Sequence, residues 1–507
     1  MGIPYNAAVD LLERNLRHGE RIAFREPGLA TNYAQLCERA NRAGNAMLGL
    51  GMHLEQRALL LLHDCADFAA VFWGAMKAGL VPVPVNTLLT PADVDYVLRD
   101  SRAPVLVGST PLLEKMQPLL RGQPFLRHVV AAGKQLDDLL ATSSPKLDPA
   151  PTTSDDVAFW LYSSGSTGTP KGAMHLHHDL VQTANTYGAG VLKLRPDDVV
   201  FSAAKLFFAY GLGNAMTFPF AVGATTVLMP ERPTPEAVMR VLREERPTVF
   251  YGVPTLFAAI LADPRNGRAN GSDRLRICVS AGEPLPREIG ERWRERFGVD
   301  ILDGIGSTEM LHIFLSLRED DIRYGTTGTA VPGYELSIVD EQEREVPRGE
   351  IGELRVKGPS SAIAYWNQRE KSLRAFRGPW TYTGDKYGQD ADGYYVYCGR
   401  SDDMIKAGGQ WVAPAEVESA LIAHPAVLEA AVVAHEDEHR LTKPKAFVVL
   451  KPGASCSADE LQRFVKERLA PFKYPRWIEF VDSLPKTATG KIQRFKLRGR
   501  DSPQGGD

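Results

Sequence analysis

Directly after the apolar residues 157–161, the chain reads Tyr162-Ser163-Ser164-Gly165-Ser166-Thr167-Gly168-Thr169-Pro170-Lys171-Gly172. Hydroxyls and glycines crowd O–H and backbone N–H donors together, and the lysine adds a cation; this is a donor set that phosphate oxygens accept. The spacing is not GxxxxGK[ST], so a Walker-type loop is not supported, and runs of Gly, Ser and Thr also serve as flexible punctuation. A second segment, Asp303-Gly304-Ile305-Gly306-Ser307-Thr308-Glu309, brings a hydroxyl and a carboxylate to one small-residue turn. Mg2+ favours few carboxylates together with phosphate oxygens, so a lone Glu309 beside a phosphate-binding Thr308 is sound chemistry, although a plain turn has the same composition. The third segment is Tyr382-Thr383-Gly384-Asp385 followed by Gly399-Arg400-Ser401-Asp402-Asp403, and the fourth is Pro485-Lys486-Thr487-Ala488-Thr489-Gly490-Lys491-Ile492. Taken singly, Asp385, Arg400 and Lys491 read as ordinary surface or turn residues.

In this order, and over nearly the whole chain, the four segments resemble the adenylate-forming superfamily of acyl-CoA synthetases, luciferases and peptide-synthetase adenylation domains. The resemblance implies an ATP-dependent enzyme that activates a carboxylic acid as an acyl-adenylate and passes the acyl group to a thiol, with ATP, Mg2+ and coenzyme A required. It implies that Ser163, Ser164, Gly165, Ser166, Thr167, Gly168 and Lys171 grip the β- and γ-phosphates, that Thr308 contacts a phosphate, and that Glu309 binds Mg2+. Asp385 and Arg400 would hold the ribose, while Gly282, Glu283, Pro284, Asp303 and Gly304 line the adenine slot. Lys491 would bridge the substrate carboxylate and the α-phosphate, and is a candidate for a lysine acetyltransferase and deacetylase because acetylation removes its charge. For the second half-reaction a small lid would turn about Asp402 and bring Gly408 and Gly409 to the thiol channel, where glycine lets a pantetheine arm pass close to backbone.

The runs KLFFAYGLGNA, FYGVPT, GIGSTEMLHIFLS and YGTTGTAVPGY look like the benzoate-CoA ligase branch, including hydroxybenzoate-CoA ligases. That implies a flat aromatic acid in a pocket bounded by Phe208, Tyr210 and Ile305, with Ala209, Gly211, Gly306 and Gly328 leaving space. A neutral His312 would hydrogen-bond the carboxylate or a ring substituent, unless it is a packing histidine. Residues 201–222 contain no Asp or Glu, so a buried substrate ammonium would lack a partner and an amino-acid substrate is disfavoured. Other readings are a ligase for another small aryl or short-chain acid, or an adenylate-forming enzyme with an acceptor other than coenzyme A. His175 and His177 alternate as on one strand face, but the lack of a fourth ligand nearby argues against a metal site.

The elements that must hold these residues are legible in outline. Leu36, Ala40, Ala43, Met47 and Leu50 recur at helical spacing up to Gly51, residues 58–62 make a short apolar strand, 66–80 a helix and 81–85 a strand. Thr90-Pro91 opens a further helix and residues 104–107 return to strand. Strand alternating with helix points to buried parallel sheet, and this rhythm is expected to run to about residue 400, with the proline-rich residues 142–156 as a loop. After Asp403, strands at 427–433 and 446–450 and a helix opened by the capping box Ser457-Ala458-Asp459-Glu460 form a smaller unit. The fold class expected is therefore α/β: a large N-terminal domain of mixed, mostly parallel sheets with helices over residues 1–401, a small mobile α+β lid over 402–497, and a flexible tail at 498–507.

At 507 residues, with 44% hydrophobic and 24% charged residues, the chain has material for more than one core. A formal net charge of −3 gives no field for a nucleic-acid or anionic-membrane partner. Five scattered cysteines without CxxC spacing, and charged residues near the N-terminus where a signal peptide needs an apolar run, suggest a soluble cytoplasmic protein.

Overall fold

A computed structural model of the chain describes residues 3–164, 170–407, 410–438, 441–470, 472–486 and 492–498. The first module is a four-stranded parallel sheet in the order Val81–Pro84, Arg57–Leu61, Val105–Gly108, His128–Ala131. Its strands are continuous apolar runs because both faces are covered. Pro82 and Pro84 are tolerated because their strand lies at the edge, where a missing ladder donor does least harm. The helix Tyr33–Gly49 starts with a reciprocal Asn32–Gln35 capping box and crosses the buried helix Ala66–Lys77 at two glycines. A Cβ on Gly74 would lie 2.2 Å from the Ala40 carbonyl oxygen, so glycine is what permits the crossing.

The second module contains, among the described residues, a nine-stranded sheet whose middle six strands, Ile301–Gly306, Ile277–Ser280, Val249–Gly252, Val199–Ser202, Thr225–Val227 and Ile22–Glu26, are parallel neighbours in that order. Antiparallel strands close both ends. The molecule is thus α/β with mostly parallel sheets in its large part.

The alternation of strand and helix does not continue to residue 400. From Ile301 onward the chain is dominated by antiparallel strands, among them Glu335–Val339, Gly352–Lys357, Trp380–Gln389 and Tyr395–Arg400. The physical reason is visible in Gly352–Lys357, where buried and half-buried residues alternate; a strand with one solvated face needs no covering helix and can return through a short turn. Residues 142–156 form the connection anticipated from their composition, with no helix or strand.

Beyond Arg400 a separate core forms from Ile405, Val412, Val417, Leu421, Val432, Val448, Leu461 and Val465. The strands Val427–Glu436 and Thr442–Leu450 pair antiparallel, Trp477–Phe480 joins parallel, and Pro414–Ile422 packs on the first of these. The helix Ala458–Lys466 carries the reciprocal Ser457–Glu460 cap. Among the described residues no helix is long and apolar enough to cross a membrane. Residues 501–507 lie outside the described residues.

Candidate active site

The donor-rich segment joins two antiparallel strands. Val157–Ser164 pairs with Pro170–Leu176, setting Ser163 opposite Lys171 and Ser164 opposite Pro170. Gly165, Ser166, Thr167 and Gly168 lie outside the described residues. A phosphate loop that leads into a helix would borrow that helix's N-terminal N–H groups; here a strand follows, so donors must come from the turn and from side chains. The Ser163 hydroxyl is buried without a hydrogen-bond partner among the described residues, a donor held ready for an acceptor.

Across from the hairpin stands Glu309. Its Oε1 accepts a 2.6 Å hydrogen bond from the Tyr365 hydroxyl, which in turn accepts one of 3.2 Å from Lys171 Nζ. Lys171 Nζ and Glu309 Oε1 are 4.0 Å apart, and the ammonium also lies 4.4 Å from the Tyr365 ring centre. Burial pushes the Lys171 ammonium below its ordinary pKa, Glu309 works the other way, and Lys371 and Arg400 add to the lowering. An approaching polyanion relieves that unfavourable burial of positive charge. Tyr365 was not singled out in the sequence; the strand Ala364–Tyr365 pairs with this hairpin, Tyr365 opposite Ala173, and only that pairing brings its hydroxyl to Glu309. Substituting Tyr365→Phe removes the bridge while keeping the ring. The ATP-dependent step should slow by about 10-fold, as for one neutral hydrogen bond of about 1–1.5 kcal/mol, with the melting temperature nearly unchanged; initial rates and thermal denaturation check both.

Asp385 and Arg400 sit opposite each other on adjacent antiparallel strands, and Arg400 Nη1 donates to Asp385 Oδ1 and to the Thr383 carbonyl oxygen, both at 3.0 Å. The Asp385 charge holds the guanidinium above its ordinary pKa, and Glu309 contributes, which ties this pair electrically to the hairpin site. Asp303 and Gly304 lie on the strand Ile301–Gly306. The Asp303 carboxyl is buried, accepts a 3.4 Å hydrogen bond from the Leu285 N–H, and keeps Oδ1 without a partner among the described residues. Burial pushes its pKa well above the carboxylate range. Gly282 adopts φ +92°, which turns the loop carrying Glu283 and Pro284 over this carboxyl. Glu283 Oε1 accepts a 2.8 Å hydrogen bond from the N–H of Ile492. That contact seats the C-terminal unit on the loop. Lys491 itself lies outside the described residues, as do Gly408 and Gly409.

The acid-pocket candidates occupy a seam. Phe208 and Ala209 pack with the core beneath the first parallel sheet, whereas Tyr210 and Ile305 pack with the core of the nine-stranded sheet. Tyr210 donates its hydroxyl to the carbonyl oxygens of Val279 and Gly252 at 3.2 and 3.3 Å. His312 Nε2 faces two acceptors, Asn214 Oδ1 at 3.1 Å and the Tyr210 carbonyl at 3.3 Å, which fixes the proton on Nε2. Burial pushes the His312 imidazolium down to about 3, so the ring is neutral. Its Nδ1 and the Asn214 amide nitrogen are both buried without partners; Asn214 is a second polar group the sequence did not single out. Gly211 and Gly306 have local backbone reasons as well as space: an added Cβ would meet the Lys205 carbonyl at 2.0 Å and the His312 carbonyl at 2.5 Å. Gly328, with φ +86° and the Ser316 carbonyl 2.1 Å from a hypothetical Cβ, holds the turn before the edge strand Thr329–Ala330.

Asp402 is exposed in the turn after Tyr395–Arg400, where the N–H groups of Asp403 and Met404 both donate to the Arg400 carbonyl. His175 lies next to last in the strand Pro170–Leu176 and His177 opens the helix His177–Thr183, so alternation on one face does not hold; His177 Nδ1 accepts from the Ala7 N–H. Among the described residues no three His, Cys, Asp or Glu side chains cluster in a way that would hold a metal alone.

A family model for AMP-binding enzymes matches residues 11–366, and one for the AMP-binding enzyme C-terminal domain matches residues 416–491. The chain belongs to the AMP-binding enzyme family. This AMP-binding enzyme is 57% identical to a benzoate–CoA ligase of Thauera aromatica, over 97% of the chain and 96% of the relative. It is 50% identical to a 4-hydroxybenzoate–CoA/benzoate–CoA ligase of Rhodopseudomonas palustris, over 97% and 94%. Its structure is similar to a crystal structure of a benzoate CoA ligase from Burkholderia xenovorans LB400, with TM-score 0.92 and 51% identity, covering 97% of this chain and 100% of that one.

Proposed function

We propose that this AMP-forming acid–thiol ligase joins benzoate, or a ring-hydroxylated benzoate, to coenzyme A through an aroyl-adenylate. The observation that carries the reading is the identity, over nearly the full length, to ligases named for those acids. The seam supports it: Tyr210, Ile305 and neutral His312 surround it, and residues 201–222 bring no carboxylate that would pair with a substrate ammonium.

In the first half-reaction a substrate carboxylate oxygen bonds to the α-phosphorus of ATP while the bond to the pyrophosphate oxygen breaks. Both the attacking and the leaving group are anions, so the barrier falls through fixed positive charge and alignment. Ser163, Lys171 and the turn between them hold the β- and γ-phosphates, with Thr308 at a third phosphate contact. Glu309 suits Mg2+: it offers one carboxylate, and the ion's preference for phosphate oxygens supplies the remainder of the donor set. Bound there, Mg2+ would supply charge neutralisation on the phosphates. Asp385 and Arg400 hold the ribose. Asp303, with an unfilled buried oxygen, accepts from the adenine amino group beside Gly282, Glu283, Pro284 and Gly304. Lys491 bridges carboxylate and α-phosphate. In the second half-reaction the unit comprising residues 402–497 turns about Asp402, Gly408 and Gly409 border the pantetheine path, and the thiolate sulfur bonds to the acyl carbon as AMP leaves. The setting is cytoplasmic, and acetylation of Lys491 would switch the enzyme off.

The test is CoA-ester formation with benzoate, 3- and 4-hydroxybenzoate, acetate and phenylalanine. Burial of one phenyl ring contributes about 2–3 kcal/mol, so kcat/KM for the best aryl acid should exceed that for acetate by roughly 30- to 150-fold. Equal rates with acetate or phenylalanine would overturn the assignment.

A further inference from the structure

His175 has no part in the site as proposed, yet it is held in contact with that site. His175 is fully buried; its Nδ1 lies 2.8 Å from Asp179 Oδ2 and its Nε2 2.7 Å from the carbonyl oxygen of Thr308. A carbonyl oxygen only accepts, so Nε2 carries a hydrogen, and an ionised carboxylate only accepts, so Nδ1 carries the other. Burial pushes the Asp179 carboxyl up, but hydrogen bonds from His175, His178 and the Leu176 N–H outweigh it and hold the carboxyl below its ordinary range. The side of the imidazole not used in hydrogen bonds stacks on Phe159, ring centres 5.2 Å apart and 17° from parallel. His175 is thus clamped in one orientation with both of its N–H groups engaged.

The group it grips is the backbone of the Thr308–Glu309 pair. From the other side the Ala362 N–H donates to the Glu309 carbonyl at 2.7 Å and the Tyr365 hydroxyl to Glu309 Oε1 at 2.6 Å. Two distant chain segments, the one carrying His175 and the one carrying Ala362 and Tyr365, therefore converge on two residues, with 133 positions separating His175 from Thr308.

We propose that His175, backed by Asp179, is a positioning residue for adenylate formation: by holding the Thr308 carbonyl it sets the direction in which the Thr308 hydroxyl and Glu309 carboxylate face the triphosphate. This rests on the function proposed above. A rigid peptide unit matters in the first half-reaction, where phosphate charge is redistributed as pyrophosphate departs, and not in the second, which proceeds after pyrophosphate has gone.

The experiment compares wild type with His175→Leu, which removes the donor to Thr308, and His175→Gln, which retains an amide donor. Rates are measured separately for benzoate-dependent pyrophosphate release and for aroyl-CoA formation from supplied aroyl-adenylate, together with KM values and melting temperatures. His175→Leu should lower kcat for pyrophosphate release by about 10- to 100-fold, the range seen when groups that orient a metal or phosphate contact are removed, with KM for benzoate unchanged. His175→Gln should recover at least half of that loss on a logarithmic scale, and both variants should make aroyl-CoA from the adenylate within about twofold of wild type. The inference is overturned if folded His175→Gln or His175→Leu slows both half-reactions alike, or neither. Absence of pyrophosphate release by the wild-type protein overturns the proposed function and this inference with it, whereas an active wild type with unaffected variants overturns the inference alone.

Discussion

Lys491→Ala should slow aroyl-adenylate formation by about 10²- to 10³-fold, equivalent to about 3–4 kcal/mol, the usual loss when one preorganised donor to developing charge is removed. Conversion of supplied aroyl-adenylate to aroyl-CoA should stay near the wild-type rate, because no pyrophosphate leaves in that step. The basis for expecting so large an effect is the position of the neighbouring residue. The Ile492 N–H is held by the Glu283 carboxylate, and Glu283 belongs to the loop that turns over Asp303. The helix Arg494–Arg498 follows directly and is anchored by Arg494, whose guanidinium donates to both oxygens of Glu418 at 2.7 to 3.1 Å. Glu418 in turn accepts from the Val432 N–H at 2.8 Å. The C-terminal arm is thus fixed to its own unit by a buried pair and, among the described residues, to the Glu283 loop through the Ile492 N–H, an arrangement that can be released at the loop without unfolding the unit. Stopped-flow and quenched single turnovers of each half-reaction decide the matter; equal loss in both would remove the case for two working arrangements.

Asp402→Pro should have the complementary profile. Adenylate formation should persist, while aroyl-CoA formation falls by about 100-fold, corresponding to about 3 kcal/mol for a backbone rotation that proline opposes. Asp402 is exposed and the two N–H groups after it are already tied to the Arg400 carbonyl, so the substitution removes little packing and acts through φ. Wild-type formation of aroyl-CoA by this variant would place the pivot elsewhere.

Where the sequence could be read, the governing interactions were local. The caps at Thr90 and Ser457 span four residues each, and Gly51, with φ +80°, ends the first long helix as its position in the pattern implied. The parallel strands were legible because burial on both faces leaves unbroken apolar runs. What escaped was set by pairing across long separations. In the antiparallel part after Ile301, the strand Gly352–Lys357 alternates buried and half-buried residues, a weak signal over only six residues. Tyr365 reaches Glu309 only because its short strand adds to the hairpin, and His175 reaches Thr308 only because the hairpin lies over the end of the central sheet. The four motifs were visible as strings, yet the partners that hold them in place are single residues with ordinary neighbours, and a single residue carries no pattern.

The central claim is that the carboxylate of an aromatic acid, and not water or a thiol, displaces pyrophosphate from ATP. It is tested most directly by incubating enzyme in excess over [α-32P]ATP with benzoate and Mg2+ but no coenzyme A, then separating the nucleotides. The account predicts benzoyl-AMP and pyrophosphate in equal amounts, close to one per ATP supplied, formed only when the acid is present. ADP and phosphate as products, or no adenylate until coenzyme A is added, would contradict it.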